Sequence, residues 1–160
     1  MIEGGPGWHI DSDSLLPVLT DEQAFRTAHA DDPAVDVFVR LWSGDPDGAA
    51  AGLRPLLAAD PDRWRWRALV ADIERDRGNV ASAVETYRAL VGEFGGAPQE
   101  AVLVQHLGEA YFAAGDYQGA AACFRRSLEL RRAAGVDASL IESSRAALLR
   151  ASELARRTAG

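Results

Sequence analysis

QEAVLVQHLGEAYFAAGDYQGAAACFRRSLEL, the stretch from Gln99 to Leu130, contains two runs of apolar and small residues at helical spacing. The first run repeats every three or four positions, at Val104, Leu107, Gly108 and Tyr111. The second run follows Gly115-Asp116 with similar spacing, at Ala120, Ala121, Phe124, Leu128 and Leu130. Such periodicity marks one face of a helix. Because only a short break separates the two runs, we expect two helices that pack antiparallel.

This helical hairpin has small residues where its two backbones must approach each other. We expect Gly108 and Ala120 to allow the close contact. We expect the larger side chains of Tyr111 and Phe124 to fill the space beside it. A hairpin of this size cannot cover its own apolar surface, so it needs neighbouring elements of the same kind.

The spacing in this stretch resembles the tetratricopeptide repeat (TPR), in which an apolar or aromatic residue is followed by Leu-Gly, Tyr, Ala, Phe and a late Pro. Six positions of the stretch match that pattern. Val104 stands where the family often has Trp, and Arg132 stands where it often has Pro. Since the late Pro ends the second helix, its absence suggests that this helix continues to about Ala134.

Two earlier stretches repeat the pattern. The segment GNVASAVETY (Gly78–Tyr87) has the glycine turn, the alanine and the aromatic residue at the same relative positions, 37 residues before the Gly115 turn. The segment GDPDGAAAGL (Gly44–Leu53) begins another 34 residues earlier, which is the length of a TPR unit, and has leucine in the aromatic position. The three extra residues of the middle unit fall in the loop Gly92–Pro98, where an insertion costs little.

We therefore predict an all-α fold, a TPR-type solenoid of helical hairpins, for which the resemblance implies a right-handed superhelix. The three repeats are expected at about residues 30–63, 64–100 and 101–134. They belong to a single domain that covers residues 20–158. Residues 1–19, which are rich in glycine and acidic residues, are expected to form a mobile tail with a short apolar patch.

Two further helices should flank the repeats. Thr20–Gln23 has the composition of a capping box with Thr20 as N-cap, and it predicts a helix over about residues 20–30. Ser139–Glu142 is a second capping box, placed before an apolar stripe of helical period. It predicts a C-terminal capping helix over about residues 139–158, which would cover the open face of the third repeat.

Composition and charge restrict the location and the partners of the chain. Of its 160 residues 48% are hydrophobic, which is enough for a core, and no apolar run approaches the roughly 20 residues of a membrane span. Cys123 is the single cysteine, and the N-terminus lacks the features of a secretory signal. We therefore expect a cytoplasmic protein without membrane contact. The net charge of −7 argues against general binding to nucleic acid.

The sequence has few features of an enzyme. It lacks a Gly-rich phosphate loop, a cysteine pair and a His-Glu-x-x-His motif, so we predict no catalytic residue, no cofactor and no metal site. Cys123 is interpreted as a buried, inert thiol. His106 and Glu109, one helical turn apart, are interpreted as a surface ion pair, with a catalytic dyad as the alternative.

The resemblance implies that the first helices of successive repeats line a concave groove, which holds a peptide or a helix of a protein partner. The groove-facing positions of repeats two and three are then Arg65, Asp72, Arg75, Asp76, Gln105, His106, Glu109 and Phe112. Repeat one would add Asp31, Val35, Phe38 and Trp42. Four of these are expected to be partly exposed on one surface, namely Arg75, His106, Glu109 and Phe112. The basic and Asn pattern with which some TPR domains clamp a C-terminal carboxylate is absent, so apolar and polar contacts to a peptide or helix are favoured.

Two other interpretations are open from the sequence alone. The chain could be a regulatory or assembly subunit that self-associates through its terminal helices as a homodimer. An acidic partner could instead dock on the C-terminal region, residues 125–160, where eight arginines and four acidic residues give a net charge of +4. Its arginines are Arg125, Arg126, Arg131, Arg132, Arg145, Arg150, Arg156 and Arg157. The simpler explanation for them is a solvated surface near helix C-termini, where positive charge is favoured.

Overall fold

The computed structural model describes all 160 residues and consists of a small antiparallel sheet followed by eight helices. The strands are β1 (Ile2–Gly5), β2 (Trp8–Ile10) and β3 (Pro17–Leu19). The helices are α1 (Glu22–Ala28), α2 (Val35–Trp42), α3 (Pro46–Ala59), α4 (Trp64–Asp76), α5 (Val80–Glu93), α6 (Glu100–Ala113), α7 (Tyr117–Ala134) and α8 (Ala138–Thr158). None of the eight helices has the length and the apolar character that a membrane crossing requires.

Helices α2 to α7 form three consecutive hairpins, and each helix packs against the next one along the chain. A glycine occupies the turn within each hairpin, at Gly44, Gly78 and Gly115, with φ between 79° and 91°. This left-handed backbone conformation is strained for any residue with a Cβ atom, which explains the glycine at each turn. α7 continues to Ala134, as the missing proline suggested, and α8 packs along it and closes the array.

Three adjoining clusters of apolar side chains form the core. They lie between α2, α3 and α4, then between α4, α5 and α6, and finally between α6, α7 and α8. The Phe124 side chain of α7 is fully buried in the third cluster. Gly108 of α6 lies against its ring so closely that an added Cβ would be 2.6 Å from the Phe124 Cε1 atom. The close approach that the sequence predicted at Gly108 is therefore confirmed.

The first flanking helix begins differently from the sequence prediction. The N-cap of α1 is Asp21 rather than Thr20, because the extended backbone at Asp21 lets its carboxylate accept a hydrogen bond from the Ala24 N–H at 3.0 Å. Gln23 does not complete a capping box, since its side-chain amide donates to the Thr27 hydroxyl one turn later. The helix exists where it was expected, but a neighbouring residue caps it.

The terminal helix also starts earlier than predicted. α8 begins at Ala138 after Asp137, so Ser139 lies inside the helix and not at its N-cap. Glu142 forms an ion pair with Arg145 at 2.7 Å instead of reaching back to the helix start. The apolar stripe that follows is nevertheless the side of α8 that packs on the third repeat.

The predicted mobile tail contains a three-stranded sheet instead. β2 is the central strand and pairs antiparallel with both neighbours. Ile2 of β1 lies opposite Ile10, and Leu19 of β3 lies opposite Trp8. Each strand has only three or four residues, which is too short to show the alternation of a strand in the sequence. Packing from outside the segment supports the sheet, since β1 contacts α8 and β3 contacts α2.

Candidate functional site

The first helices of the three repeats, α2, α4 and α6, form the surface that we call the groove. α4 and α6 are in contact although α5 separates them in sequence. The Nη1 atom of Arg75 in α4 lies 4.0 Å from Oε2 of Glu109 in α6. The Nδ1 atom of His106 in α6 lies 3.9 Å from Oδ1 of Asp72 in α4. Side chains of two repeats thus form one cluster of charged groups.

Arg75 occupies the centre of this cluster. Its side chain is only 5% exposed, and it donates hydrogen bonds to Asp72 Oδ1 at 2.9 Å and to Asp76 Oδ1 at 3.0 Å. Burial disfavours the charge of the guanidinium, but the three surrounding carboxylates outweigh it and raise the pKa of Arg75. Burial raises the pKa of the Asp76 carboxyl in turn. Arg75 was expected to be partly exposed, and that expectation is wrong because the residue is needed to compensate buried acids.

His106 is the most accessible member of the cluster, with 33% of its side chain exposed. Its Nδ1 atom lies 3.1 Å from Glu109 Oε2, as a close ion pair without the alignment of a hydrogen bond. The imidazole stacks on the ring of Tyr87, with centroids 5.7 Å apart and planes inclined by 8°. Burial lowers the pKa of His106, but the negative charges of Glu109 and Asp72 outweigh this effect and raise the pKa overall. The pKa of Glu109 is held below its usual range, because His106 and Arg75 outweigh the effect of burial.

Tyr87 of α5 contacts this cluster through a hydrogen bond to Asp72. Its side chain is fully buried, and its hydroxyl donates to Asp72 Oδ1 at 2.7 Å while lying 3.0 Å from the carbonyl oxygen of Ala68. Burial raises the pKa of the Tyr87 hydroxyl far above its ordinary value. The sequence identified Tyr87 only as the aromatic position of its repeat. The equivalent residue of the next repeat is Phe124, so the pattern contained no sign of a role for the hydroxyl.

Gln105 extends the polar network from α6 to the terminal helix. Its side chain amide lies 3.4 Å from a Glu109 oxygen, and its Oε1 atom accepts a hydrogen bond from the Ser144 hydroxyl at 2.8 Å. Arg131 of α7 donates to the same hydroxyl and to the carbonyl oxygen of Leu140, both at 2.8 Å. Burial lowers the pKa of Arg131. Gln105 was predicted to contact a partner, but it is buried and joins α6 to α8.

The N-terminal segment, residues 1–20, lies across the groove, and we call it the strap. At one end of the groove, the indole of Trp8 packs against that of Trp42 in α2, with centroids 4.9 Å apart. At the other end, Asp13 Oδ1 accepts a hydrogen bond from Arg150 Nη2 of α8 at 3.1 Å. The strap therefore connects the first repeat with the terminal helix, and it passes over α6 between them.

Phe112 is the predicted groove residue whose environment differs most from expectation. It was expected to be partly exposed, but it is buried in the third core cluster, only 8% exposed. Its ring packs edge-on against Tyr117 at 5.1 Å between centroids. Leu15 of the strap belongs to the same cluster and covers this end of α6. The prediction failed because the ring lies in a core that α7, α8 and the strap build together, which its position on α6 does not indicate.

Arg65 lies apart from the α4 and α6 cluster. Both terminal nitrogens of its guanidinium donate to the carboxylate of Asp32, in the connection between α1 and α2. The same guanidinium lies 5.5 Å from the ring centroid of Phe38 and 5.4 Å from that of Trp66. Among the positions suggested for repeat one, Asp31 is exposed, and Val35, Phe38 and Trp42 are half-buried.

A cavity of about 250 Å³ lies between the strap and the groove. One wall is aromatic and consists of Trp8, Phe38 and Trp42. Another wall is polar and includes Gln105, His106, Glu109, Arg131 and Ser143. A concave and largely apolar space with a few polar groups is typical of a binding site. The cavity thus joins predicted groove residues of the first and third repeats.

Comparison with protein-family models supports the repeat assignment independently. A model described as the tetratricopeptide repeat matches residues 40–98, and a second model of the same description matches residues 102–134. Together they span more than half of the chain, from the end of α2 to the end of α7. A search of the curated proteins finds no match. This chain belongs to the tetratricopeptide repeat family, whose members are typically non-enzymatic modules for protein–protein interaction.

Proposed function

We propose that this protein binds a peptide or a helix of a protein partner in its groove. Membership of the family supports the general role, since TPR domains generally mediate protein–protein interaction. The observation that carries the specific site is the cavity of about 250 Å³ under the strap, which has aromatic side chains on one wall and charged ones on another. A peptide side chain with an apolar body and a polar end fits such a lining.

The residues that contact the partner are those that the fold leaves accessible. His106 is one-third exposed, and Phe38 and Trp42 are half-buried at the cavity. We expect Trp42 to contribute more than His106, because aromatic side chains tend to dominate protein interfaces. Arg75 and Gln105 contribute indirectly, since their hydrogen bonds and charges hold the accessible groups in place.

The test compares the groove with the basic C-terminal region. A partner recovered by affinity purification is titrated with the wild-type protein and with the variants Trp42→Ala and His106→Ala. Both variants are expected to bind more weakly, Trp42→Ala by about tenfold or more, which corresponds to roughly 1.4 kcal/mol. The matched control is the double variant Arg125→Ala/Arg132→Ala, which changes two exposed side chains of α7. The groove is rejected as the binding site if the arginine double variant loses binding while Trp42→Ala and His106→Ala bind normally.

Self-association through α8 is a second candidate function, and a different observation favours it. Leu149 of α8 is a large apolar side chain that is 59% exposed. Exposed apolar surface at the end of an array offers a contact for another copy. Light scattering after gel filtration tests this function. A dimer that becomes a monomer in Leu149→Glu would support it, whereas a wild-type protein that is monomeric at all concentrations would reject it.

A further inference from the structure

The strap, residues 1–20, is attached to the repeats and to α8 in the manner of a bound peptide. A single hydrogen bond joins it to them, from Arg150 to Asp13, and the Asp13 side chain is 86% exposed at this contact. The other attachments are packing contacts, with Trp8 against Trp42 and β3 against α2 at one end, and Leu15 and β1 against the third core cluster and α8 at the other. A few side-chain anchors on a surface built by other elements are typical of peptide recognition.

Leu15 is the main anchor of the strap. It is only 3% exposed and packs with Phe112 of α6 and with two alanines of α8. It is also the only residue other than glycine with a positive φ, at 60°. This conformation is unfavourable for a residue with a Cβ atom, and the chain maintains it through a tight loop in which the Leu15 N–H donates to the Asp11 carbonyl oxygen at 2.9 Å. The backbone is thus bent so that one leucine side chain enters the core.

At the α8 end of the groove, the acidic strap meets a basic part of the chain, and Asp13 pairs there with Arg150. The strap contains the acidic residues Glu3, Asp11 and Asp13 and no arginine. The part of the chain that forms most of α7 and all of α8, residues 125–160, has a net charge of +4. Electrostatic attraction therefore favours an acidic segment at this end of the groove.

The strap leaves part of the groove empty. The cavity of about 250 Å³ lies beneath it, between Trp8 and Leu15 of the strap and the side chains of α2, α6, α7 and α8. Atoms that line an empty space lack contacts on one side. A segment that reached the same anchor positions and also filled this space would make contacts that the strap does not make.

We propose that the strap is an intramolecular ligand of the groove, and that the external partner is an acidic segment of another protein that displaces it. The partner places an aromatic side chain against Trp42 and an aliphatic side chain in the site of Leu15. This inference rests on the proposed function, because it takes the groove as the binding site. It adds the chemistry of the partner and a competition between the partner and the strap.

The test uses a fluorescent synthetic peptide with the sequence of residues 1–20. The peptide is titrated with the full-length wild-type protein and with the full-length variant Leu15→Asp, whose own strap cannot insert. We expect the wild-type protein to bind weakly, because a tethered strap competes at an effective concentration on the order of millimolar. The variant is expected to bind the peptide at least about tenfold more tightly, since this internal competition is removed. A control peptide with the same Leu15→Asp change should not bind either protein.

A second variant, Asp13→Arg, provides the same test if Leu15→Asp does not fold, because it changes an exposed side chain. It reverses the charge opposite Arg150, so it should also bind the peptide more tightly than the wild-type protein. The proposal is overturned when neither variant binds the peptide more tightly than the wild type does, or when the control peptide binds equally well. A different result would reject the proposed function itself: normal binding of the recovered partner by Trp42→Ala and His106→Ala.

Discussion

α6 faces α7 on one side and the groove on the other, and the two sides are built from different contacts. Toward α7, Gly108 lies against the fully buried ring of Phe124. Toward the groove, His106 and Glu109 belong to a network of charged and polar groups that includes Arg75. The apolar side is a close-packed contact of α6 with α7 that alanines of α8 and Leu15 of the strap complete. The polar side requires hydrogen-bonding side chains from α4, α5, α7 and α8.

This difference has consequences for substitution. Removing an apolar side chain between α6 and α7 loses the burial of its apolar atoms and leaves a cavity. The loss of stability therefore follows the volume removed. Removing a member of the polar network leaves its partners unsatisfied, so the cost follows the number of hydrogen bonds and charges that remain without compensation.

The largest loss of stability is expected from Phe124→Ala. The fully buried ring fills the space against Gly108, so its removal should lower the free energy of unfolding by about 3–5 kcal/mol. The matched control is Leu149→Ala, at a side chain that is 59% exposed, where the change should stay below about 0.5 kcal/mol. Both values come from chemical denaturation. A loss below about 1 kcal/mol for Phe124→Ala would contradict the packing of the third repeat.

A smaller loss is expected when the same contact is overfilled. Gly108→Ala would place a Cβ atom 2.6 Å from Phe124 Cε1, so the ring or the helix must shift, at a cost of about 1–3 kcal/mol. Gly92→Ala is the matched control, because Gly92 lies in α5 with no neighbouring atom near its missing Cβ. There the change should stabilise the protein by about 0.4–1 kcal/mol. Thermal or chemical unfolding of both variants distinguishes the two sites, and equal effects would disprove the close approach.

On the groove side, Tyr87→Phe removes one buried hydroxyl and no carbon atoms. Asp72 retains its hydrogen bond from Arg75, so we expect a loss of about 1 kcal/mol. Tyr117→Phe serves as the control at a half-buried ring, with a change below about 0.5 kcal/mol. Indistinguishable unfolding curves for the two variants would show that the Tyr87 hydroxyl does not bind Asp72.

The smallest effect concerns the protonation of His106. Its pKa is raised above the ordinary value of 6.5, so its protonation stabilises the fold below about pH 6.5, and this contribution is lost as the pH rises through the folded pKa. We expect Glu109→Gln to lower the pKa of His106, because Glu109 supplies the largest of the charges that raise it. The exposed Glu85 provides the control variant Glu85→Gln, which should leave the titration unchanged. A proton NMR titration measures the pKa, and an unchanged value in Glu109→Gln would contradict the ion pair.

Most of the helical array could be predicted from the sequence because its determinants are local. A glycine turn, a small residue and an aromatic residue recur at Gly115, Ala120 and Phe124 and in the earlier repeats, and they define the hairpins. The ion pair of His106 and Glu109 was also predictable, since residues one turn apart are neighbours on a helix.

The covering of the groove could not be predicted from local pattern. The strands of the strap are too short for a period, and their stability comes from contacts far away in sequence, such as that of Trp8 with Trp42. The burial of Phe112 depends on side chains of α7, α8 and the strap, none of which its position on α6 indicates. The exposure of Arg75 was predicted wrongly, because its position on α4 indicates which way the side chain points but not the three carboxylates that surround it.

The position of the strap is tested most directly by NMR on the wild-type protein. The structure predicts nuclear Overhauser contacts between the methyl groups of Leu15 and the ring of Phe112, and between the indoles of Trp8 and Trp42. It also predicts dispersed, strand-like chemical shifts for Ile2–Gly5. Random-coil shifts throughout residues 1–20, without either contact, would show a free N-terminal tail and an open groove, and would contradict this account.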